Sequence, residues 1–553
     1  MFGLTSSTST SDRRRTSSLL RNTLATSLLL LAAASTTAAS PSFYFNSAEE
    51  ELQARHRHIQ SNQARAHNSE RATQQAQAHA RRGLPMGSSI DAIVNQKRAS
   101  GAFASSGFDY VNDKVRGVNL GNWLVLEPWM DNNASQVLNA NAVNAPGAHS
   151  VIDEYTAGTY IDHDFLTQFF TEHFDSWITE DDFRQIAAAG LNHVRIPIGH
   201  WAFSDCIEDN LPYLPLNRFD KLKEGVGYAQ KYGLKVWIDL HGTPGSQNGY
   251  PGSGRAGVAH WPNQDSYYTL TQTAFNHLIA EFTQEKYNGT VTGIQPVNEP
   301  VGAYQKNVQT QVNRYYPWSW DALAYPNGLD NAPSNQMLVT HDAWQGLSYW
   351  QNWWNQTQAK RVIMDAHPYF VYGPQEMNAT DTFRLQEVCQ YGIGMSQSQG
   401  FYPTVAGEWS IGAPSGDNNV SLRTLPNTDQ VIFPYGSGKY PFSQKYMQFL
   451  AVNFRTQQEV FEEGSGWMFW NWKHLAFADQ SYQTGIKFGW LPSDARGLDN
   501  NPFGKLCVNN NFQLASFGAG GSGAAPSLVH GRSGSVWALA TGAAAVVAAV
   551  IFS

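Results

Sequence analysis

The sequence predicts an α/β protein whose central stretch closes into a (β/α)8 TIM barrel with loop insertions, and three observations carry that prediction. From about Tyr110 to Asn510, eight short runs of Val, Ile, Leu and aromatic residues recur with no long Gly/Ser/Pro linker between them. Helix-like stretches separate the runs, and a polar or ionisable residue ends nearly every one of them. Strands buried on both faces read as near-continuous apolar runs, and eight such alternations over ~400 residues match the size of a barrel with insertions.

Taken in order, the runs are 115–120, 193–198, 234–240, 293–297, 337–340, 362–365, 404–406 and 466–470. Helices are expected over 179–189 after Trp177, over 219–232 before Gly233, and over 267–287. The polar residues are Glu127 beyond the first run, Arg195 in the second, His241 after the third, and Asn298 and Glu299 after the fourth. His341, His367 and Glu408 follow the fifth, sixth and seventh. In a barrel these positions share one rim around one pocket. Any single one is more often a strand cap, but their coincidence is hard to ascribe to chance.

Composition narrows the ligand. With 37 basic against 45 acidic side chains and a net charge of −8, the chain lacks the cationic surplus that phosphate backbones require, so nucleic acid is not an expected partner. Charged residues make up only 15% while 18 Trp are present, which suits a large enzyme with a neutral, flat-faced ligand. No G-x-S-x-G occurs, which argues against a serine hydrolase, and no cofactor is implied.

The two ends read as addresses. Arg13, Arg14, Arg15 and Arg21 precede an apolar run from Leu24 to Ala34 and small residues up to Ala39, the pattern of a secretory signal over 1–39. Residues 40–109 form a polar linker or propeptide whose pairs Arg81-Arg82 and Lys97-Arg98 are possible cleavage sites. The catalytic domain is expected over 110–510. After it, 511–535 reads as a spacer with small residues Ser522, Gly523 and Ala524, and 536–553 as an uncharged apolar tail. That is the layout of a GPI attachment signal, so the protein is expected to be secreted and anchored through lipid at the cell surface or wall, as a monomer.

Asn133, Asn288, Asn355, Asn378 and Asn419 open glycosylation sequons. Cys206, Cys389 and Cys507 leave one thiol after any single disulfide, and the favoured pair is Cys389 with Cys507. Three cysteines this dispersed do not form a Cys-based zinc site, no H-E-x-x-H occurs, and no metal is expected.

The chemistry centres on Val297-Asn298-Glu299-Pro300 and Gly407-Glu408-Trp409-Ser410, each of which places a Glu directly after a buried strand. Cleaving a glycosidic bond needs one acid to protonate the leaving oxygen and one carboxylate at the sugar carbon. Arg195, His367 and Tyr369 are candidates to set the two Glu apart in character.

Several motifs, in order along the chain, resemble fungal exo-β-1,3-glucanases of glycoside hydrolase family 5. They are Arg116-Gly117-Val118-Asn119-Leu120-Gly121-Asn122-Trp123 running on to Glu127-Pro128-Trp129, and His193-Val194-Arg195-Ile196-Pro197. They continue with Asp239-Leu240-His241-Gly242 before Gly245-Ser246-Gln247-Asn248-Gly249, then Asn298-Glu299-Pro300, Gly407-Glu408-Trp409-Ser410 and Trp470-Asn471-Trp472-Lys473. The resemblance implies a retaining hydrolase with Glu299 as acid/base and Glu408 as nucleophile. It implies that Asn298 meets the sugar 2-hydroxyl, that Arg195, His241, His367, Tyr369 and Trp470 support the site, and that Glu127 grips the terminal glucose. Tyr250 and Tyr372 fall where the family carries an aromatic clamp, and stacked rings suit the C–H faces of sugars.

The sequence departs from the family at Asn122, where a second Gly is common, at Asp365-Ala366-His367-Pro368-Tyr369, where a His-rich stretch is common, and in the loop 250–256. The expected function is release of glucose from the non-reducing ends of β-1,3-glucan in wall remodelling. The residues leave open an endo-acting, β-1,6-specific or transglycosylating relative on the same fold, and a non-catalytic glucan-binding wall protein.

Overall fold

The computed structural model describes residues 107–513 except 144, 148–149, 371–378, 413–441, 443 and 498–502. The expected signal, most of the polar segment, the anchor region from 514 onward, Tyr372, Asn378 and Asn419 lie outside the described residues. Eight parallel strands close on themselves in sequence order: β1 (Val115–Asn119), β2 (His193–Gly199), β3 (Lys235–Gly242), β4 (Val291–Gln295), β5 (Met337–His341), β6 (Val362–Ala366), β7 (Thr404–Ala406) and β8 (Gly466–Phe469), with β8 pairing back onto β1. The predicted barrel is therefore the observed one.

Each strand leads to an outer helix: α1 (Glu180–Ala188), α2 (Arg218–Lys231), α3 (Asp265–Phe282), α4 (Lys306–Ala324), α5 (Gln356–Ala359), α6 (Asp381–Gln399), α7 (Gln444–Phe461) and α8 (Tyr482–Phe488). Three further helices, Asn132–Ala140, Glu154–Tyr160 and His163–Ser176, are inserted between β1 and α1. Local chemistry sets the boundaries. Thr179 and Asp182 form a reciprocal capping box at the start of α1, whose first turn is acidic as the helix dipole favours. α3 stops at Phe282, short of the expected Tyr287, and residues Glu285–Tyr287 form a 3-10 turn instead. β4 begins two residues earlier than expected, at Val291, and ends at Gln295, where Pro296 has no N–H to donate to a neighbouring strand.

The period-two alternation of side chains explains where core gives way to site. Val115, Trp237, Val339, Ile363, Val405 and Met468 form an apolar cluster with Tyr110. The Tyr110 hydroxyl donates to Thr292 Oγ1 at 2.7 Å and accepts from Trp237 Nε1 at 2.7 Å. Two residues further along the same side of β3, β5 and β6 stand Asp239, His341 and Asp365, all buried. The other face of each strand, including Ile196, Leu240, Ile294 and Met364, packs in the large core beneath the helices.

Cys389 on α6 is bonded to Cys507, as favoured from sequence, and Cys206 is a free thiol. The bond ties α6 to a small hairpin, Cys507–Val508 with Asn511–Phe512.

Candidate active site

The C-terminal ends of the strands bring Arg195, His241, Asn298, Glu299, His367, Tyr369 and Glu408 together. Arg195 is fully buried and organises the centre. Its guanidinium donates to Glu408 Oε1 at 2.7 Å, Asn298 Oδ1 at 2.7 Å, Asn119 Oδ1 at 3.0 Å and Gln295 Oε1 at 3.0 Å, and pairs with Asp239 Oδ2 at 3.0 Å. A planar fork of donors suits such a constellation, where a lysine would supply only a point charge. Burial alone would lower the Arg195 pKa, but Asp239, Glu408 and Asp365 outweigh it and hold the side chain charged.

Glu408 is also met on its second oxygen, where the Tyr369 hydroxyl donates at 3.0 Å and His367 Nδ1 stands 3.5 Å away. The same Nδ1 lies 2.7 Å from Glu299 Oε1, so one imidazole touches both carboxylates. Those oxygens are accordingly no more than about 6 Å apart, on the short side of the two-carboxylate geometries that cleave sugars. Asp365 Oδ2 holds the far nitrogen of His367 at 3.1 Å and accepts from Gln295 Nε2 at 2.8 Å. Burial would lower His367, but the charges of Glu408 and Asp365 and the bonds to Asp365 and Glu299 push it up to about 10. At neutral pH His367 is an imidazolium that donates from both nitrogens.

Glu299 adopts φ +43, a left-handed conformation that costs a non-glycine residue roughly 1–3 kcal/mol. The neighbouring backbone is pinned: Asn298 N–H donates to Leu240 O at 3.1 Å, and Gln247 Nε2 donates to both Asn298 O and His241 O at 2.8 Å. The chain can thus turn sharply after β4 without losing register with β3.

A second wall begins at Asp239, whose Oδ2 meets His241 Nδ1 at 2.5 Å. Burial would lower His241, but Asp239 outweighs it and raises it. Trp470, 7% exposed, lies nearly parallel to His241 with ring centroids 6.1 Å apart. Glu127 Oε2 accepts from Asn122 N–H at 2.9 Å, while Asn122 Oδ1 accepts from Glu127 N–H at 2.7 Å. Asn122 stands at φ +55, so the departure from a second glycine keeps a residue that tolerates the left-handed turn. A Cβ on Gly121 would meet the Trp470 ring at 2.7 Å and Glu127 Oε2 at 2.9 Å, so only glycine lets these two converge. A Cβ on Gly252 would stand 3.4 Å from both Glu127 Oε1 and His241 Nε2. Tyr250 is buried on the loop that carries Gly252.

The profile described as Cellulase (glycosyl hydrolase family 5) matches residues 155–474. The chain belongs to glycosyl hydrolase family 5. It is 32% identical over 421 residues to a glucan 1,3-beta-glucosidase of Kluyveromyces lactis, covering 72% of this chain and 92% of that protein. It is 34% identical over 366 residues to glucan 1,3-beta-glucosidase 1 of Schizosaccharomyces pombe, covering 66% and 84%. Rutinosidase from Aspergillus niger shares the fold at a TM-score of 0.55 and 19% identity, over 69% of this chain and 99% of that one.

In this family 5 glycosidase the site also includes Asn119, Asp239, Gln247, Gln295 and Asp365, which the sequence alone does not single out. Asn119, Asp239, Gln295 and Asp365 lie inside the strands rather than after them. The available signal was a polar side chain within a run otherwise buried on both faces, which has to be paired or hydrogen bonded. His341 was noticed but given no role. It is buried, its Nδ1 accepts from Ala343 N–H at 3.0 Å, and burial with the nearby His367 charge lowers it to about 3, so it stays neutral.

Proposed function

We propose that this family 5 glycosidase is a retaining glucan 1,3-β-glucosidase that removes glucose from the non-reducing ends of β-1,3-glucan, with Glu299 as acid/base and Glu408 as nucleophile. The observation that carries this reading is the pair of carboxylates meeting one imidazole nitrogen, at 2.7 and 3.5 Å. A retaining pair works at a separation of about 5–5.5 Å, close enough for direct attack, whereas an inverting pair needs room for a water between. The named substrate of the relatives from Kluyveromyces lactis and Schizosaccharomyces pombe supports the linkage.

In the first step Glu299 gives its proton to the departing oxygen while Glu408 attacks the anomeric carbon and forms a glycosyl-enzyme. The His367 imidazolium then stabilises the carboxylate left on Glu299. In the second step Glu299 takes a proton from water, the water oxygen bonds to the anomeric carbon, and Glu408 leaves as a carboxylate accepting from Arg195 and Tyr369. Asn298 Oδ1 is occupied by Arg195 and its Nδ2 stands 3.4 Å from His241 Nε2, so the amide N–H₂ faces the wall where the sugar 2-hydroxyl is received. Glu127, Gly252 and Trp470 form the end that receives the terminal glucose, and Tyr250 flanks the incoming unit. Digestion of laminarin with product analysis tests this: glucose as the first product supports it, and internal oligosaccharides as first products refute the exo assignment.

The same reading makes the protein a secreted, monomeric, GPI-anchored glycoprotein of the cell surface that remodels wall glucan. Asn133, Asn288 and Asn355 are exposed, as glycan acceptors must be. Release from membranes by a phosphatidylinositol-specific phospholipase supports the anchor, and an intact tail over 536–553 in the mature protein excludes it.

A further inference from the structure

Outside the network around Glu299 and Glu408, three side chains of different donor chemistry converge. Asp205 and Cys206 sit in the 3-10 turn Ser204–Cys206 that follows β2, and His277 projects from α3. One ligand atom from each lies within 4.8 Å of the others. His277 Nε2 is 2.9 and 2.8 Å from the two Asp205 oxygens, and Cys206 Sγ is 3.7 Å from Asp205 Oδ1. The Phe203 ring stacks on His277 with centroids 4.7 Å apart and fixes the imidazole plane. Cys206 is buried, while the Asp205 and His277 side chains reach solvent.

We propose that Asp205, Cys206 and His277 form a binding site for a thiophilic divalent cation of the zinc type, clasping the turn after β2 to α3. Ordinary metal-to-ligand lengths of about 2.0–2.3 Å in tetrahedral geometry place such ligand atoms roughly 3.4–3.6 Å apart. The sulfur–carboxylate spacing of 3.7 Å stands just above this range and the His277–Asp205 spacing of 2.8 Å below it, and both are adjusted by rotating the solvent-reaching Asp205 and His277 side chains. The alternative reading is a partly exposed His–Asp pair beside an inert thiol. In that reading the Cys206 S–H donates to Asp205 Oδ1; a cation takes the place of that proton among three ligand atoms already gathered within 4.8 Å of one another. On binding, the Cys206 S–H bond breaks and its proton passes to solvent. The thiolate electron pair forms the metal–sulfur bond, His277 donates through neutral Nε2, and solvent water fills the fourth position.

Of the three cysteines only Cys206 lies outside the disulfide, so a thiolate signal reports this site alone. Purified full-length protein, stripped with a chelator, is titrated with Co²⁺ and then with Zn²⁺. The expected result is a sulfur-to-cobalt charge-transfer band at one equivalent, displaced by Zn²⁺. Cys206→Ser should abolish the band and His277→Ala should weaken affinity at least ~10-fold, while both metal-free variants hydrolyse laminarin at the wild-type rate, which shows that they fold. No band in the wild type, a band that survives in Cys206→Ser, or zinc binding that survives there and inhibits hydrolysis overturns the proposal. The last outcome places the ion at Glu299, His341 and His367 instead.

Discussion

Tyr369→Phe deletes one oxygen atom, the donor to Glu408 Oε2 at 3.0 Å, and leaves the Arg195 bond to Oε1 at 2.7 Å in place. A hydrogen bond to a charged group contributes about 1.5–3 kcal/mol. That energy acts unequally along the reaction. In the glycosyl-enzyme Glu408 is a neutral ester that gains little from the hydroxyl, whereas the carboxylate that leaves in the second step gains most. Removing the donor therefore raises the deglycosylation barrier by up to that amount, a loss of about 10- to 150-fold in kcat. Glycosylation starts from a carboxylate that has lost a stabilising partner, so kcat/KM falls far less. With an aryl β-glucoside carrying a good leaving group, the variant should show a burst of released phenol and a lowered KM, as expected when an intermediate accumulates. Equal losses in kcat and kcat/KM with no burst would refute the assignment of Glu408 and the placement of Tyr369 beside it.

Glu408→Ala should lower the rate at least ~10³-fold while leaving glucan binding measurable by calorimetry. Gly252→Ala puts a methyl group 3.4 Å from Glu127 Oε1 and His241 Nε2, so KM for laminari-oligosaccharides should rise with little change in melting temperature. His367 is raised from an ordinary 6.5 to about 10, so its contribution to stability is fully present below pH 6.5 and is lost as pH climbs through about 10. Buried His173 and His200 run the other way, lowered to about 4 and about 3 chiefly by burial, so melting temperature should also drop as pH falls below 6.5. Replacing Cys389 and Cys507 by Ser opens a loop closed over a separation of 118 residues and should cost about 2–5 kcal/mol in denaturant unfolding.

Much of this architecture was legible because parallel strands buried on both faces announce themselves as apolar runs, and because a barrel sends the residue after each run to one rim. Glu299, Glu408, His241 and His367 were found by that rule. The interior of the barrel was harder to read. Asp239, Gln295 and Asp365 lie within strands, where a polar residue first reads as a flaw in the pattern. Only the closed barrel shows that they meet Arg195 and Asn119: Arg195 donates to Asn119 and Gln295 and pairs with Asp239, and Gln295 donates to Asp365. The end of β4 turned on the missing N–H of Pro296. Glu299 in a left-handed conformation was likewise invisible, since that backbone is imposed by Gln247 and Leu240, which are remote in sequence. Cys389 and Cys507 were paired correctly, but the company that Cys206 keeps depends on how α3 docks against the turn after β2.

The measurement that bears most directly on the account is covalent trapping. A 2-deoxy-2-fluoro β-glucoside with a good leaving group slows the second step more than the first, so the enzyme should gain the mass of one fluorosugar, and peptide mapping should place it on Glu408. Label on Glu299 or on another residue, or full turnover with no labelled enzyme at any time, would contradict the central claim.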